Sequence, residues 1–135
     1  MNELKFNSQI CTTKEQSQRL LDLGLKPETA DMELIYNIFS NTYEPLTKAF
    51  PTSNKYEISA WSLHRLIELL PQDIHLDDYA DTHYYLTIDP FKVIYVNSHR
   101  SWINQRDEGC LYDKLIDMIE WTIKTNFFNK EYLKQ

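Results

Sequence analysis

The sequence predicts an α+β domain in which about three helices pack on a small, mainly antiparallel sheet that contains a β-hairpin. Two observations predict it. Helical segments with recognisable ends alternate with short runs rich in β-branched and aromatic residues. The chain has 135 residues and is 42% hydrophobic, which is enough for one core without a disulfide or a metal. We therefore treat 1–135 as one domain, with 1–11 and 129–135 as candidates for flexible ends.

The first helix is predicted over residues 13–23. Thr12 and Thr13 each precede a Glu or Gln by three residues, which is the spacing of a capping box. Gly24 stands where a left-handed residue ends a helix, and Leu25 is placed to fold back on the last turn.

The next segments are less regular. Residues 32–40 fit both helical and strand spacing, and their β-branched and aromatic content favours a strand. Residues 41–54 contain Pro45 and Pro51, which indicates a long loop or an irregular hairpin. Residues 55–59 form a short extended candidate.

The second helix is predicted within SAWSLHRLIELLP. Ser59 is the expected N-cap, Ile58 is the apolar residue before it, and Pro71 ends the helix. Its apolar stripe consists of Leu63, Leu66, Ile67 and Leu70.

Two alternating runs around the Asp-Pro-Phe-Lys turn at 89–92 predict an antiparallel hairpin of 83–89 with 92–98. Residues 99–107 are interpreted as a link to a last helix over 108–126. The inward-facing positions of that helix are Tyr112, Leu115, Ile116, Ile119 and Ile123.

Composition excludes several classes of protein. The N-terminus lacks the basic start and apolar core of a secretory signal, and no apolar run reaches the roughly 18 residues of a membrane span. Two glycines are too few for a phosphate-cradling loop. Cys11 and Cys110 match no CxxC spacing and are interpreted as reduced thiols. We therefore expect a cytoplasmic protein that is not membrane-bound.

Negative charge is concentrated in one segment. Between Leu66 and Phe91 the chain has six acidic residues and no Lys or Arg, which equals the net charge of −6 of the whole chain. A protein that binds the backbone of duplex DNA shows the opposite bias, so direct duplex binding is not expected.

The stretch QDIHLDDYADTH, residues 72–83, has three interpretations. His75, Asp77, Asp81 and His83 could hold a divalent metal, although their spacing matches no known loop. Charge runs usually face water, which favours a solvated connector. The third interpretation is an acidic surface for a basic protein partner, formed by Asp73, Asp77, Asp78 and Asp81.

The segment SHRSWINQR, residues 98–106, is a basic island. Arg100 and Arg106 flank Trp102, a combination that suits the phosphate and base of a nucleotide or single strand. In the structural alternative, Trp102 and Ile103 fill the space between the hairpin and the last helix.

Two tryptophans lie off the apolar stripes of their predicted helices. On a helical wheel Trp61 is about 170° from the centre of its stripe, and Trp121 is about 140° from the centre of its own. Exposed tryptophans are frequent in binding surfaces, so both are partner-binding candidates. In the alternative, Trp61 packs under the preceding strand and the C-terminal tail FFNKEYL covers Trp121.

The sequence favours a non-enzymatic protein without a cofactor. No local motif marks either thiol as a nucleophile beside a histidine. The carboxylates are numerous, but no pair stands in a context that would raise one pKa for acid catalysis.

Three segments, LLDLGLKPETADM (20–32), AWSLHRLIELLP (60–71) and MIEWTI (118–123), carry a resemblance. They resemble a group of small proteins without assigned function, carried by prophages and other mobile elements of Bacteroidetes. The Thr after Trp121 departs from the aliphatic residue more usual there. The resemblance implies no catalytic or ligand residues. It implies an interaction protein, since small acidic proteins of mobile elements are often inhibitors of host defence systems, CRISPR nucleases included.

The working hypothesis is a protein-binding modulator or inhibitor that docks on a larger protein with a basic surface, such as a nucleic-acid-binding nuclease. The alternative is a small-ligand or nucleotide-binding module that uses the 98–106 segment. A third interpretation is a self-associating dimer.

Overall fold

The computed structural model describes residues 8–47, 57–76 and 82–135. Within them, helices and strands form an α+β fold with two antiparallel sheets, which confirms the predicted class. The helices are α1 (Lys14–Asp22), α2 (Leu63–Leu69) and α3 (Leu111–Lys124). The strands are β1 (Met32–Asn37), β2 (Thr42–Thr47), β3 (Glu57–Ala60), β4 (Asp73–Leu76), β5 (Thr82–Ile88), β6 (Val93–Val96) and β7 (Trp102–Arg106).

Helix α1 has the predicted ends. The Thr13 hydroxyl accepts from the Gln16 backbone N–H at 3.1 Å, and the Gln16 side chain accepts from the Thr13 N–H at 3.0 Å. Gly24 has a φ of 102°, and the Leu25 N–H donates to the Leu20 carbonyl at 3.2 Å. These are the bonds of a capping box and a Schellman ending, so the chain turns where its local sequence predicts.

The smaller sheet has the strand order β2-β1-β3. The preferred strand interpretation of residues 32–40 is confirmed for 32–37, which form β1, whereas 38–40 lie in the turn of its hairpin with β2. Residues 48–54 of the predicted loop or irregular hairpin lie outside the described residues. The extended candidate 55–59 overlaps β3, with 55 and 56 outside the described residues. One face of this sheet packs Leu34 and Ala60 against the buried Cys11.

Helix α2 begins later than predicted. Ser59 is not its N-cap, because it pairs with Glu33 in the ladder between β1 and β3. Ser62 caps the helix instead, accepting from the Arg65 N–H at 3.1 Å. Asp31 accepts from the Ser62 N–H at 2.8 Å and from its hydroxyl, so a second segment positions the cap.

Two of the segments that carry the resemblance meet in the interior. The Trp61 indole N–H donates to the Thr29 hydroxyl at 3.0 Å. Asp31 binds Ser62 as described above, and Met32 pairs with Ala60 in the sheet. Residues of PETADM and AWSL therefore join β1 to the start of α2, which is a structural role.

The larger sheet has the strand order β4-β5-β6-β7. The predicted hairpin is confirmed: β5 pairs with β6, and Asp89 accepts from the Phe91 and Lys92 N–H groups in the turn at 2.7 and 2.9 Å. The predicted link 99–107 is wrong over most of its length, because residues 102–106 form β7. A bulge interrupts the alternation of this strand, which explains why its pattern does not indicate a strand.

Helix α3 lies within the predicted range but is shorter at both ends. Gly109, with a φ of 86°, and Cys110 at the N-cap precede its first turn. Of the inward-facing positions, Tyr112, Leu115, Ile116 and Ile119 are buried and Ile123 is partly buried. The helix packs on β6 and β7 and, with α1 and α2, encloses the main core.

The C-terminal tail contacts the core and the segment after α1. Phe128 is buried in the core, and Leu133 forms an isolated bridge with Leu25. The Lys134 N–H donates to the Gly24 carbonyl at 2.8 Å. At the other end, Cys11 is buried, and residues 1–7 lie outside the described residues. Among the described helices, none has the length and apolar character needed to span a membrane.

Candidate functional site

The candidate functional site is the face of the four-stranded sheet that points away from the core. Successive residues of a strand point to opposite faces, whereas residues paired across strands share a face. Ile74, Val93 and Tyr95 belong to the buried cluster and so mark the core side. The opposite side, here called the outer face, carries Asp73, His75, His83, Tyr85, Thr87, Ile94, Val96, Trp102 and Gln105.

Aromatic rings cover much of the outer face. The His75 and His83 rings are stacked, with centroids 4.3 Å apart and planes 11° from parallel. Tyr85 continues the series, 6.3 Å from His83 and inclined by 14°. Tyr85 and Trp102 lie on either side of Val96 in one row of the register, and they are 50% and 57% exposed. Two large exposed aromatic side chains on one face are typical of a binding surface.

A carboxylate stands next to these rings. His83 Nδ1 lies 2.9 and 3.0 Å from the two carboxylate oxygens of Asp73. Both side chains are more than a third exposed, so the pair contributes at most about 1 kcal/mol to stability. Asp73 is the member of the predicted acidic surface that the structure describes, and its charge is offset whenever His83 is protonated.

The rest of the predicted acidic surface, Asp77, Asp78 and Asp81, lies outside the described residues. Of the four candidate metal ligands, Asp77 and Asp81 are therefore not described, and His75 and His83 are. They are brought together as a stacked pair. In the part of the chain that the structure describes, no three His, Cys, Asp or Glu side chains are grouped so as to hold a metal ion.

A β-bulge divides the Arg-Trp-Arg set that was predicted to bind a ligand. The register shifts between Tyr95 and Val96, so Arg106 pairs with Val93 whereas Trp102 pairs with Val96. Val93 and Val96 are three positions apart and face opposite sides of the sheet. Arg106 therefore lies on the core side, and its buried Nε has no hydrogen-bond partner among the described residues.

Arg100 remains beside Trp102, in the turn between β6 and β7. The Asn97 side chain holds this turn, because its oxygen accepts from the His99 and Ser101 N–H groups at 2.9 Å each. Arg100 itself is exposed and has a φ of 65°. The exposed Trp102 does not fill the interior, so the structural alternative is wrong for this residue. It is right for Ile103, which packs against the main core.

The other two tryptophans are not exposed. Trp61 is completely buried, so the prediction that it belongs to a partner surface is wrong. The helical-wheel argument fails because Trp61 precedes α2, which begins at Leu63. Trp121 is partly buried, with its ring centroid 6.0 Å from that of Tyr95 and 5.8 Å from that of Phe127. The tail thus covers Trp121, as the structural alternative states.

The two thiols lie in different surroundings. Burial, followed by the charge of Asp31, raises the pKa of the buried Cys11 thiol, which disfavours its thiolate. The exposed Cys110 thiol donates to Asp113 at 3.3 Å and accepts from Gln16 at 3.8 Å. Both thiols are free, as the prediction of reduced cysteines requires.

A second exposed apolar site was not found from the sequence. It is the tip of the β1–β2 hairpin, where Ile38 and Phe39 are 71% and 93% exposed. Side chains hold the turn: the Asn37 oxygen accepts from the Phe39 N–H at 2.9 Å, and Tyr36 donates to Asn41 at 3.0 Å. The signal in the sequence is an apolar pair between turn-forming residues, in NIFSN.

A cleft of about 300 Å³ lies between α2 and the tail. Its lining mixes Lys26 and Arg65 with Glu28, Glu68 and Glu131. Arg65 Nε lies 3.6 Å from the Glu68 carboxylate. Opposite charges of this kind compensate each other, so the cleft does not select a ligand of one charge.

Comparisons with known proteins give no match to a family model, a curated protein or a solved structure.

Proposed function

We propose that this chain is a non-enzymatic protein-binding modulator or inhibitor that docks on its partner through the outer face. The observation that carries the proposal is the exposure of Tyr85 and Trp102 on the side of the sheet opposite the helices. Tyrosine and tryptophan dominate binding hot spots because they bring a large rigid area at little cost in conformational entropy.

The charge of the chain supports a basic partner. The net charge is −6, and strands β4, β5 and β6 contain no Lys or Arg. A positive surface on the partner would be steered towards such a face and would pair with Asp73. Together with the resemblance to mobile-element proteins, this supports a cytoplasmic, counter-defence protein of the anti-CRISPR kind whose partner is a nucleic-acid-binding nuclease.

Affinity capture from host lysate with matched surface variants tests the proposal. We expect a specific protein to be retained by the wild type and lost by the double variant Tyr85→Ala/Trp102→Ala. Phe39→Ala is the matched control, because Phe39 is an exposed aromatic residue in the β1–β2 turn, away from the outer face. Retention of the same protein by the double variant would contradict docking through the outer face.

A second candidate function is binding of a nucleotide or single-stranded nucleic acid at Trp102. It is favoured by the exposed indole beside the turn that holds Arg100. A ligand at one hundred times its Kd adds about 2.7 kcal/mol of stability, so a thermal-shift screen of nucleotides would detect it. A flat screen would exclude this candidate.

A further inference from the structure

We infer that the outer face receives arginine side chains of its partner, with one guanidinium held over Val96 between Tyr85 and Trp102 and a neighbouring arginine paired with Asp73. This inference rests on the proposed function and specifies the chemistry of the partner at the same site. It follows from the shape of the face, the position of its carboxylate and the charges around it.

The spacing of the strands suits one flat cation. Tyr85 on β5 and Trp102 on β7 are separated by Val96 on β6. Neighbouring strands are about 4.8 Å apart, so the two aromatic residues start about 10 Å from each other. A group lying over Val96 would have one aromatic residue about one strand spacing away on each side. The rings can then turn onto a cation within the roughly 6 Å range of a cation–π contact. The aliphatic floor suits the apolar stem of the incoming side chain.

Asp73 offers a second contact for an arginine. It occupies the same row as Tyr85, on the side away from Val96. It therefore starts about 10 Å from a cation over Val96, and a neighbouring arginine of the partner would pair with it. Its oxygens accept from His83 Nδ1, and an ionised carboxylate can accept several further hydrogen bonds. Guanidinium combines a flat face for stacking with paired N–H donors for a carboxylate, whereas the lysine ammonium is a compact, strongly hydrated charge. The face should therefore prefer arginine to lysine.

The surrounding charges favour one end of the site. Arg100 lies in the turn next to Trp102 and opposes a cation at that end. Asp73 stands at the other end and attracts one. The guanidinium should therefore lie closer to Tyr85, and removing the Arg100 charge should strengthen binding. A nucleic-acid backbone would experience the reverse field, so Asp73 disfavours it.

The test uses two defined peptides, one with four arginines spaced by glycines and serines and one with lysines in their place. Binding is followed by the NMR signal of the Trp102 indole N–H, identified by its loss in Trp102→Phe. We expect a saturable shift with the arginine peptide and severalfold weaker binding of the lysine peptide. Asp73→Asn and Tyr85→Ser should each weaken binding about fivefold, and Arg100→Ala should strengthen it.

Glu28→Gln is the matched control, since it removes an acidic group that lines the cleft beside α2, and it should leave binding unchanged. Equal affinity for the two peptides, or insensitivity to Tyr85→Ser in a variant that still unfolds cooperatively, would overturn the inference. Saturable binding of an oligothymidylate in place of the arginine peptide would overturn it in favour of nucleic acid. Should capture of a protein still depend on Trp102 while the arginine peptide fails, the proposed function stands and this inference falls.

Discussion

Trp61 is held at both its backbone and its side chain. Its N–H donates to the Thr12 hydroxyl at 3.0 Å, and its carbonyl accepts from the Thr12 N–H at 2.9 Å. The Thr29 hydroxyl accepts a hydrogen bond from the indole N–H. The hydroxyl oxygens of Ser17 and Thr12 are 2.7 Å apart and share a hydrogen bond. Buried polar groups are costly without partners, so these residues are constrained as a set.

Replacing Trp61 should destabilise the fold far more than replacing Trp102. We expect Trp61→Phe to lower the free energy of unfolding by about 2 kcal/mol, because a cavity remains and the Thr29 hydroxyl loses its donor. Trp102→Phe, at an exposed position, should stay within about 0.5 kcal/mol of the wild type. Urea unfolding followed by circular dichroism measures both, and equal losses would contradict the burial of Trp61.

The two thiols should differ in reactivity. Cys110 is exposed and should react rapidly with a disulfide reagent such as DTNB, whereas Cys11 is buried with a raised pKa and should react only on unfolding. The absorbance of the thionitrobenzoate released, before and after adding denaturant, gives the number of cysteines that have reacted. Cys110→Ser should remove the fast phase, and a fast phase that survives in this variant would place Cys11 at the surface.

Helices α1 and α3 are joined by a polar network along their contact. Arg19 donates to Asp117 at 2.6 Å and to Glu120 at 2.9 Å. Gln16 donates to Asp113 at 2.8 Å. Hydrogen bonds from Arg19, then from Lys124, lower the pKa of Glu120, and the bond from Gln16 lowers that of Asp113. Each pKa is thus lower in the folded chain than in the unfolded chain.

The sign of the pH dependence follows from these lowered pKa values. The stabilisation is present above the unfolded pKa of about 4.5 for Glu120 and is lost as pH falls through the folded pKa below it. Arg19→Gln should lower the free energy of unfolding by at most about 1 kcal/mol at pH 7, because these side chains are partly exposed.

The difference between Arg19→Gln and the wild type should shrink as pH falls below 4.5 and through the lowered pKa of Glu120. Unfolding curves across this range measure it. Lys130→Gln, a charge change in the tail, serves as the control and should leave the pH profile parallel to that of the wild type. A constant difference at every pH would show that Arg19 acts through packing and not through its hydrogen bond to Glu120.

At the scale of the whole molecule, the C-terminal tail packs against the core and the segment after α1. The Lys26 N–H donates to the Tyr132 carbonyl at 2.9 Å, and the Lys134 N–H donates to the Gly24 carbonyl at 2.8 Å. Tyr132 and Leu133 pack against the main core. The tail therefore fixes the segment that follows α1, through contacts between residues far apart in the sequence.

Deleting residues 130–135 should lower the free energy of unfolding by about 2 kcal/mol, because two partly buried side chains and several backbone hydrogen bonds are lost. Thermal unfolding by calorimetry measures the change. Removal of Gln135 alone, an exposed residue, is the matched control and should have little effect. Equal melting temperatures for the two truncations would mean that the tail does not support the fold.

The outer face could be predicted only in part from the sequence. The hairpin of 83–89 with 92–98 was predicted, and its alternation places Tyr85 opposite the residues that face the core. Neither β7 nor its bulge was predicted, so Trp102 was grouped with Arg106, which lies on the other side. A bulge depends on pairing with β6 and leaves no periodic signal in one strand.

Local interactions determined what could be read directly from the chain: the ends of α1, the turn at 89–92, and the α+β class. Such features depend on residues a few positions apart, whose preferences act in any context. Contacts between distant segments decided the rest, including the start of α2 at Ser62 through Asp31, the burial of Trp61 against Thr29, and the row that joins Asp73, Tyr85 and Trp102. Side chains far apart in sequence acquire a common face only when strands pair in one register, and that register is set by the packed core.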